Sequence, residues 1–300
     1  MSKQAYRVIN LQLVMMQSLS PTMRRFSFES SEMSAIQTFA PDQRVKLFFP
    51  QLKNPQETQW IVEKEDWYQA YRQMPEATRP PMRTYTIRNL YPEKNRVDID
   101  FAMHGATGPA STWAESAMIG DRIQMAAPNV DWDGEKRGFE WHPPAIAEQI
   151  LLMADETALP AVAGIIEELH LDNVQADVHV LIEMPKHEDR IELPEHQNIH
   201  VHWLARENQS QPGEKLYEYV QKLYPSQQQK KSAVELENIN VDEEILWFTG
   251  EKLEQQKFYA WIAAESKAVL NIRRYLAQEC GIQKEHLNCM GYWRWGKVLG

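Results

Sequence analysis

Along the first part of the chain, apolar and polar residues alternate over short runs: RVINLQLVM, MRRFSFE, RVKLFFP, RTYTIRNL, RVDIDFAMH and DRIQMAAP. A period of two residues turns one side of each run to a core and the other to water, the pattern of half-buried antiparallel strands. These runs, from Tyr6 to about Pro128, predict a β-barrel over residues 1–132. A polar segment with tryptophans, about 51–80, interrupts them and ends at Pro80-Pro81. It reads as a partly helical excursion between barrel strands. Beyond Asn129 the periodicity stops, and the charged, Gly- and Pro-rich stretch 133–148 predicts a linker.

From Ile150 short apolar strands are followed by longer helical patterns: QILLMA then ETALPAVAGIIEELH, ADVHVLIEM, NIHVHWLA, EKLYEYVQKLY, EEILWFTG, KFYAWIAA and SKAVLNIRRYLAQECG. Strand and helix in alternation predict an α/β domain with a parallel sheet over 149–300. The polar stretch from Tyr224 to Glu237 predicts a surface loop.

Composition narrows the partners. The 300 residues are 43% hydrophobic and 25% charged, enough for two cores, and the net charge of −10 argues against nucleic acid or an anionic membrane as partner. An anionic ligand must therefore meet a local basic pocket. The start of the chain lacks a cleavage site of small residues, and no segment reaches membrane-spanning length. Cys280 and Cys289 carry no paired metal spacing and read as reduced thiols of a cytoplasmic protein. No cluster has metal-ligand spacing, and His200 and His202 fall on one face of a strand, at a core rim.

Two stretches carry candidate chemistry. In HGATGPASTWAESAMIGD, Gly108 precedes Pro109 at a helix start and Gly120 closes the other end about three turns later. The amides of Ala110, Ser111 and Thr112 would point outward and hold an anion. No lysine follows Gly108, so no triphosphate chemistry is implied; a plainly capped helix is the alternative. Before it, Arg83 and Tyr85 share one face of the strand RTYTIR and Thr84 and Thr86 the other. A tyrosine ring can stack on a flat aromatic system while a hydroxyl reaches its ring nitrogens and an arginine offsets phosphate charge, which suits a flavin.

The segments DQRVKLFFP, RTYTIR, DFAMHGATGPASTWA, ADETALPAV and FYAWIAAESKAVLNIRRYLAQECGI with GYWRWGK resemble those of the siderophore-interacting protein family, over about Arg7 to Lys297. The resemblance implies a ferredoxin reductase-like protein with an N-terminal FAD-binding barrel and a C-terminal NAD(P)H-binding-like domain. Its activity would be ferric-siderophore reduction, passing electrons from NAD(P)H or a ferredoxin through FAD and releasing Fe(II) in the cytoplasm. By position, Arg83, Tyr85 and Thr86 would hold the isoalloxazine and its neighbouring phosphate, and His104, Gly108, Ala110, Ser111 and Trp113 the diphosphate and adenine side. Asp100 and Phe101 are further candidates. A flavoenzyme with another substrate, or a non-catalytic siderophore-binding module, would share many of these features.

On the nicotinamide side the positions are Asp155, Thr157, Ala264 and Glu265. The turn Ala154 to Pro160 has no glycine, its two carboxylates would repel a diphosphate, and Asp155 is favoured as a cap of the next helix, with a mixed role for Thr157. Glu183 would suit a ribose 2′-hydroxyl, whereas Lys186, His187 and Arg190 would suit a 2′-phosphate, so the strand leaves NADH and NADPH open. For an anionic iron complex the candidate cations are Lys46, Lys267, Arg274, Arg294 and Lys297, each equally readable as a surface charge.

Overall fold

The computed structural model describes residues 4–62, 66–105, 108–207, 210–226, 244–250 and 255–296. Lys297 and most of the expected polar loop lie outside them. The chain divides into two compact units, residues 1–139 and 140–299.

The first unit runs β1 (Tyr6–Ser20), β2 (Met23–Glu29), β3 (Arg44–Phe48), α1 (Trp67–Gln73), β4 (Met82–Thr86), β5 (Asn89–Tyr91), β6 (Arg96–Ala102), α2 (Pro109–Ser116) and β7 (Arg122–Pro128). The sheet order is β4-β3-β7-β1-β2-β6-β5, antiparallel at every pairing. Its two outer strands, β4 and β5, are separated in sequence only by Ile87 and Arg88, whose amides donate to the carbonyls of Gln43 and Asp98. One bent strand thus joins both margins, and the sheet closes into a barrel.

Alternation decides what fills it. Leu11 and Leu13, Phe26 and Phe28, Val45 and Leu47, and Val97, Ile99 and Phe101 all point inward. The excursion covers an apolar strip on the outside, where Phe48, Val8, Ile61 and Ala126 pack with Trp60, Trp67 and Tyr71. Gln124 clamps it from β7, accepting from the Ile61 amide at 2.8 Å and donating to the Ile61 carbonyl at 2.9 Å.

The second unit runs β8 (Gln149–Asp155), α3 (Leu159–Leu171), β9 (Asp177–Met184), β10 (Ile199–Ala205), α4 (Glu214–Leu223), β11 (Trp247–Phe248), β12 (Phe258–Glu265), α5 (Ser266–Arg274) and β13 (Leu287–Trp293). The order β10-β9-β8-β12-β13-β11 is parallel except at β11. From β8 the chain builds outward one way through β9 and β10, then returns to build the other way through β12 and β13. The strand order reverses between β8 and β12, and in such sheets ligands usually lie outside the carboxyl ends of the strands at that point. The strand β13 escaped the periodicity reading, which treated GYWRW only as a terminal motif.

α4 and α5 share one core with the sheet, through Leu151, Met153, Leu181, Ile262 and Val269. Where they meet, Gly213 takes φ +85 just ahead of α4, and a Cβ there would overlap Ala268 of α5. Gly213→Ala therefore meets both a left-handed penalty and a packing clash. It should lower the unfolding free energy by roughly 2–4 kcal/mol, read as a reduced denaturation midpoint; a midpoint equal to wild type would refute this account of the junction.

Candidate functional site

On the barrel side, β4 presents Arg83 and Tyr85. Tyr85 packs edge-on to Phe49 and lies 4.2 Å from the Phe101 ring, centroid to centroid. Burial pushes its phenol well above the ordinary tyrosine range. Arg83 donates to the Met82 carbonyl at 2.7 Å and has no carboxylate partner among the described residues. Burial lowers its pKa, with Tyr85 and Tyr71 opposing that shift. A half-buried cation without an acid is a ready partner for an anionic group, and in this respect the residues present fit a flavin phosphate. Thr86 is buried at the end of the same strand.

The helix start expected at Pro109 is present, with Gly108 extended before it. The Ser111 hydroxyl accepts from the Gly108 amide at 3.0 Å and donates to the Gly108 carbonyl at 3.1 Å, which fixes the turn. The Thr112 amide bonds the Gly108 carbonyl, so Ala110 and Ser111, rather than three residues, carry the outward amides. The helix is also shorter than its sequence suggests. It ends at Ser116, and Gly120, at φ +100, belongs to the turn into β7, where its amide bonds Leu13. His104 and Gly105 are exposed just before it.

Three barrel residues serve the scaffold. Trp113, expected on the adenine side, is 8% exposed among Phe26, Phe28, Phe49 and Phe101. Phe101 lies in the same core as the floor beneath Tyr85. Asp100 forms a two-pronged pair with Arg25 at 2.7 and 2.8 Å, so its carboxylate is already engaged.

The carboxyl edge of the second sheet collects buried acids. Asp155 Oδ1 accepts from the Thr157 amide and hydroxyl at 2.9 and 2.6 Å, and Oδ2 accepts from the Trp293 indole at 2.6 Å. Burial first, and neighbouring Glu156 second, push its pKa up to about 7, against the pull of these hydrogen bonds. Asp155 closes the turn rather than capping α3, whose N-cap is Ala158. Glu156 pairs with Arg206 at 2.6 Å. The repulsion of a diphosphate anticipated at this turn is therefore offset by an arginine and by a carboxyl held near neutrality. Glu265, at the end of β12, accepts from the Ala268 amide at 3.0 Å and caps α5, and its other oxygen accepts from the Trp295 amide at 3.2 Å. Ala264 is fully buried beside it.

Glu183, left open by the sequence as an acceptor of a ribose 2′-hydroxyl, has another role in the structure. It is 0% exposed, with Oε1 receiving Arg206 at 2.9 Å and the Gly213 amide at 2.7 Å. Oε2 receives the Lys215 and Leu216 amides at 3.0 and 3.2 Å. It is a buried cap for α4 and is closed to a ribose hydroxyl. Arg206, which sequence reasoning passed over, is the cation that bridges Glu156 and Glu183.

The candidate cations differ in kind. Lys46 sits half-buried on the outer face of β3 and donates to the Thr84 hydroxyl at 2.6 Å, while burial and Arg44 lower its pKa. Lys267 is exposed on α5 and Arg274 partly so. Arg294 is not a surface charge, being 6% exposed and donating to the Glu244 carbonyl at 2.7 Å. His202 bonds Tyr219 at 2.8 Å and His200 pairs with Asp177 at 3.1 Å. Among the described residues no group of three or more His, Cys, Asp or Glu could hold a metal ion, and no helix is long and apolar enough to cross a membrane.

Comparison with known proteins gives a consistent pattern. Residues 12–132 match the model of the siderophore-interacting FAD-binding domain, and residues 147–296 that of the siderophore-interacting protein. The ferric vibriobactin reductase ViuB of Vibrio cholerae serotype O1 is 25% identical over 219 residues, 73% of this chain and 66% of its own length. A siderophore utilization protein from T. fusca superposes with a TM-score of 0.72 at 25% identity, over 99% of this chain and 96% of that one. The fold is also that of the ferredoxin reductase of carbazole 1,9a-dioxygenase, with a TM-score of 0.59 at 11% identity, over 96% of this chain and 70% of that one.

The environment of Asp155 sets a pH dependence. Its folded pKa, about 7, lies above the ordinary value of 3.8, so the protonated carboxyl stabilises the fold at low pH. That contribution is lost as pH rises from about 4 to about 7. Thermal melts across this window should show a smaller decline for Asp155→Asn than for wild type. Superimposable declines would mean that Asp155 keeps no proton in the fold.

Proposed function

Because the chain belongs to the siderophore-interacting protein family, we propose that it is an FAD-dependent ferric-siderophore reductase fed by a nicotinamide nucleotide. The observation that carries the reading is the half-buried Arg83, without an acid partner among the described residues, on the strand that also presents Tyr85. An arginine so placed is stabilised by an anionic phosphate, and the outward amides of Ala110 and Ser111 offer a second set of donors. Arg83, Tyr85, Thr86, His104, Gly108, Ala110 and Ser111 would hold the cofactor.

FAD, when bound, supplies the conversion from a two-electron hydride donor to an acceptor that takes one electron at a time. The chain's own residues bind and orient. Arg83 offsets phosphate charge, and the Ser111 hydroxyl locks Gly108 so that the helix amides face outward. The substrate is an anionic Fe(III) complex of hard oxygen donors, and Fe(II), with its lower charge, is released from it. Lys46, Lys267 and Arg274 are the described cations proposed to attract that complex, and release is proposed to occur in the cytoplasm.

The test is anaerobic. NADPH, NADH and a reduced ferredoxin are added in parallel to the FAD-reconstituted protein, followed by a ferric catecholate siderophore with a ferrous chelator. A nicotinamide nucleotide should bleach the flavin bands, and the ferric complex should restore them as chelated Fe(II) appears. Absence of flavin absorbance after reconstitution, or no reoxidation by the complex, would overturn the reading; bleaching by ferredoxin alone would replace the donor. Arg83→Ala should lower FAD occupancy more than Lys46→Ala, because Lys46 occupies the outer face of its strand. Equal FAD retention in the two variants would contradict the placement of the phosphate.

A further inference from the structure

We propose that the imidazoles packed beneath α4 form a pH-sensitive latch, which holds the helix on the sheet at neutral pH and releases it on acidification. The latch follows from where two strands place three histidines. β9 and β10 are parallel, with His179 opposite His200. Alternation puts Asp177, His179, Leu181 and Glu183 of β9 on the face that α4 covers, with His200, His202 and Leu204 of β10 beside them. The His179 ring lies 5.1 Å from that of His200 and 5.9 Å from that of His202, centroid to centroid. His202 is bonded to α4 itself, through the Tyr219 hydroxyl at 2.8 Å. These side chains belong to the second unit alone, and the inference does not depend on the reductase reading.

Neutral imidazoles suit this setting and charged ones do not. His179 Nδ1 and His202 Nε2 are buried without a hydrogen-bond partner among the described residues. An imidazolium has two N–H donors and accepts nothing. A protonated His202 would find one acceptor, the Tyr219 oxygen, for two donors, and would lie against further imidazoles. Burial first, then His179 and His200, lower its pKa. The other charged groups on this face do not relieve it. Asp177, at the start of β9, meets His200 at 3.1 Å and His179 at 3.5 Å, so it supports a proton at the rim, and that charge opposes a second one on His202. Glu183 is filled by Arg206 and three amides. Lys215 of α4 pairs with Glu218 at 3.0 Å, and Lys222 is exposed. Tyr224, just beyond α4, stays neutral, its phenol pushed up to about 12 by burial, Asp177 and Cys280. A histidine whose folded pKa lies below its ordinary 6.5 contributes stability that is full above that value and is lost as pH falls. The loss falls on α4, whose Lys215 and Leu216 amides cap Glu183, so acid reaches the carboxyl edge of the sheet through the helix.

The experiment follows amide hydrogen exchange of the full chain from about pH 7.5 to about pH 5.5, expressed as protection factors so that the intrinsic pH dependence of exchange is removed. Over this range α4 should lose protection by at least about threefold. α3 should not, since its residues lie outside the core that holds α4 and Asp155 beside it gains its proton over the same interval. His202→Asn keeps an amide within reach of the Tyr219 hydroxyl but cannot be charged, so its α4 protection should change by less than about 1.5-fold. An NMR titration of the wild-type imidazoles needs no variant, and there His202 should take up its proton below the ordinary value of 6.5. Constant α4 protection, an equal loss in α3, or an unchanged loss in His202→Asn would overturn the proposal, as would a His202 midpoint at or above the ordinary value. Should the variant not fold, the wild-type exchange and titration decide. None of these measurements uses flavin or iron, so failure of the reductase reading would leave their outcome intact.

Discussion

The functional edge of the second unit depends on how one buried carboxylate is compensated. Glu183 is removed from water entirely, which is unfavourable by several kcal/mol unless every lone pair finds a donor. One guanidinium and the amides at the start of α4 meet that demand. In doing so they fix where α4 begins, require the left-handed backbone at Gly213, and hold the segment carrying Arg206 against the turn after β8. Arg206 then reaches Glu156 as well, so the ends of two strands and the start of one helix are tied by a single set of charges.

The barrel has the opposite electrostatic state. Its second layer of charge is paired, with Arg25 on Asp100 and Arg96 on Asp98, yet Arg83 has no acid among the described residues. Paired charges on a barrel wall are scaffold, because their interactions are complete before any ligand arrives. An unpaired, partly desolvated cation is costly in isolation, and its position beside Tyr85 is one that binding an anion would relieve.

The sequence revealed strands more readily than roles. Period-two alternation locates the barrel strands from β1 to β7 because polar and apolar side chains alternate across the barrel wall, even where, as in β6 and β7, both faces are covered. The parallel strands β8, β9 and β12 stand out as short continuous apolar runs because helices cover both faces. β13 was harder to see, since its residues were legible mainly as an aromatic motif and HLNCMGYW is less apolar than β12. Site residues separated by their surroundings. Arg83 and Ser111 act through local geometry that a short motif encodes. Trp113 and Phe101 lie in the same motif blocks, but their placement in the core is decided by Phe26, Phe28 and Phe49 on other strands. The role of Glu183 stayed open for a related reason: its partners lie 23 to 33 residues further on, and nothing near it in sequence announces that it will be consumed.

The same compensation bears on how a glycine-free turn can still face an anionic ligand. Glycines in such turns allow close backbone approach, and the side chains here remove that freedom. What they do not bring is the full repulsion that two adjacent acids suggest. Asp155 is fully buried with its pKa pushed up to about 7, and Glu156 shares Arg206 with Glu183, at 2.6 Å. A ligand at this edge therefore meets a turn whose polar groups are already satisfied and whose one guanidinium is shared by two carboxylates, so the turn contributes little binding energy of its own. Recognition must then come from groups at the rim that still have capacity.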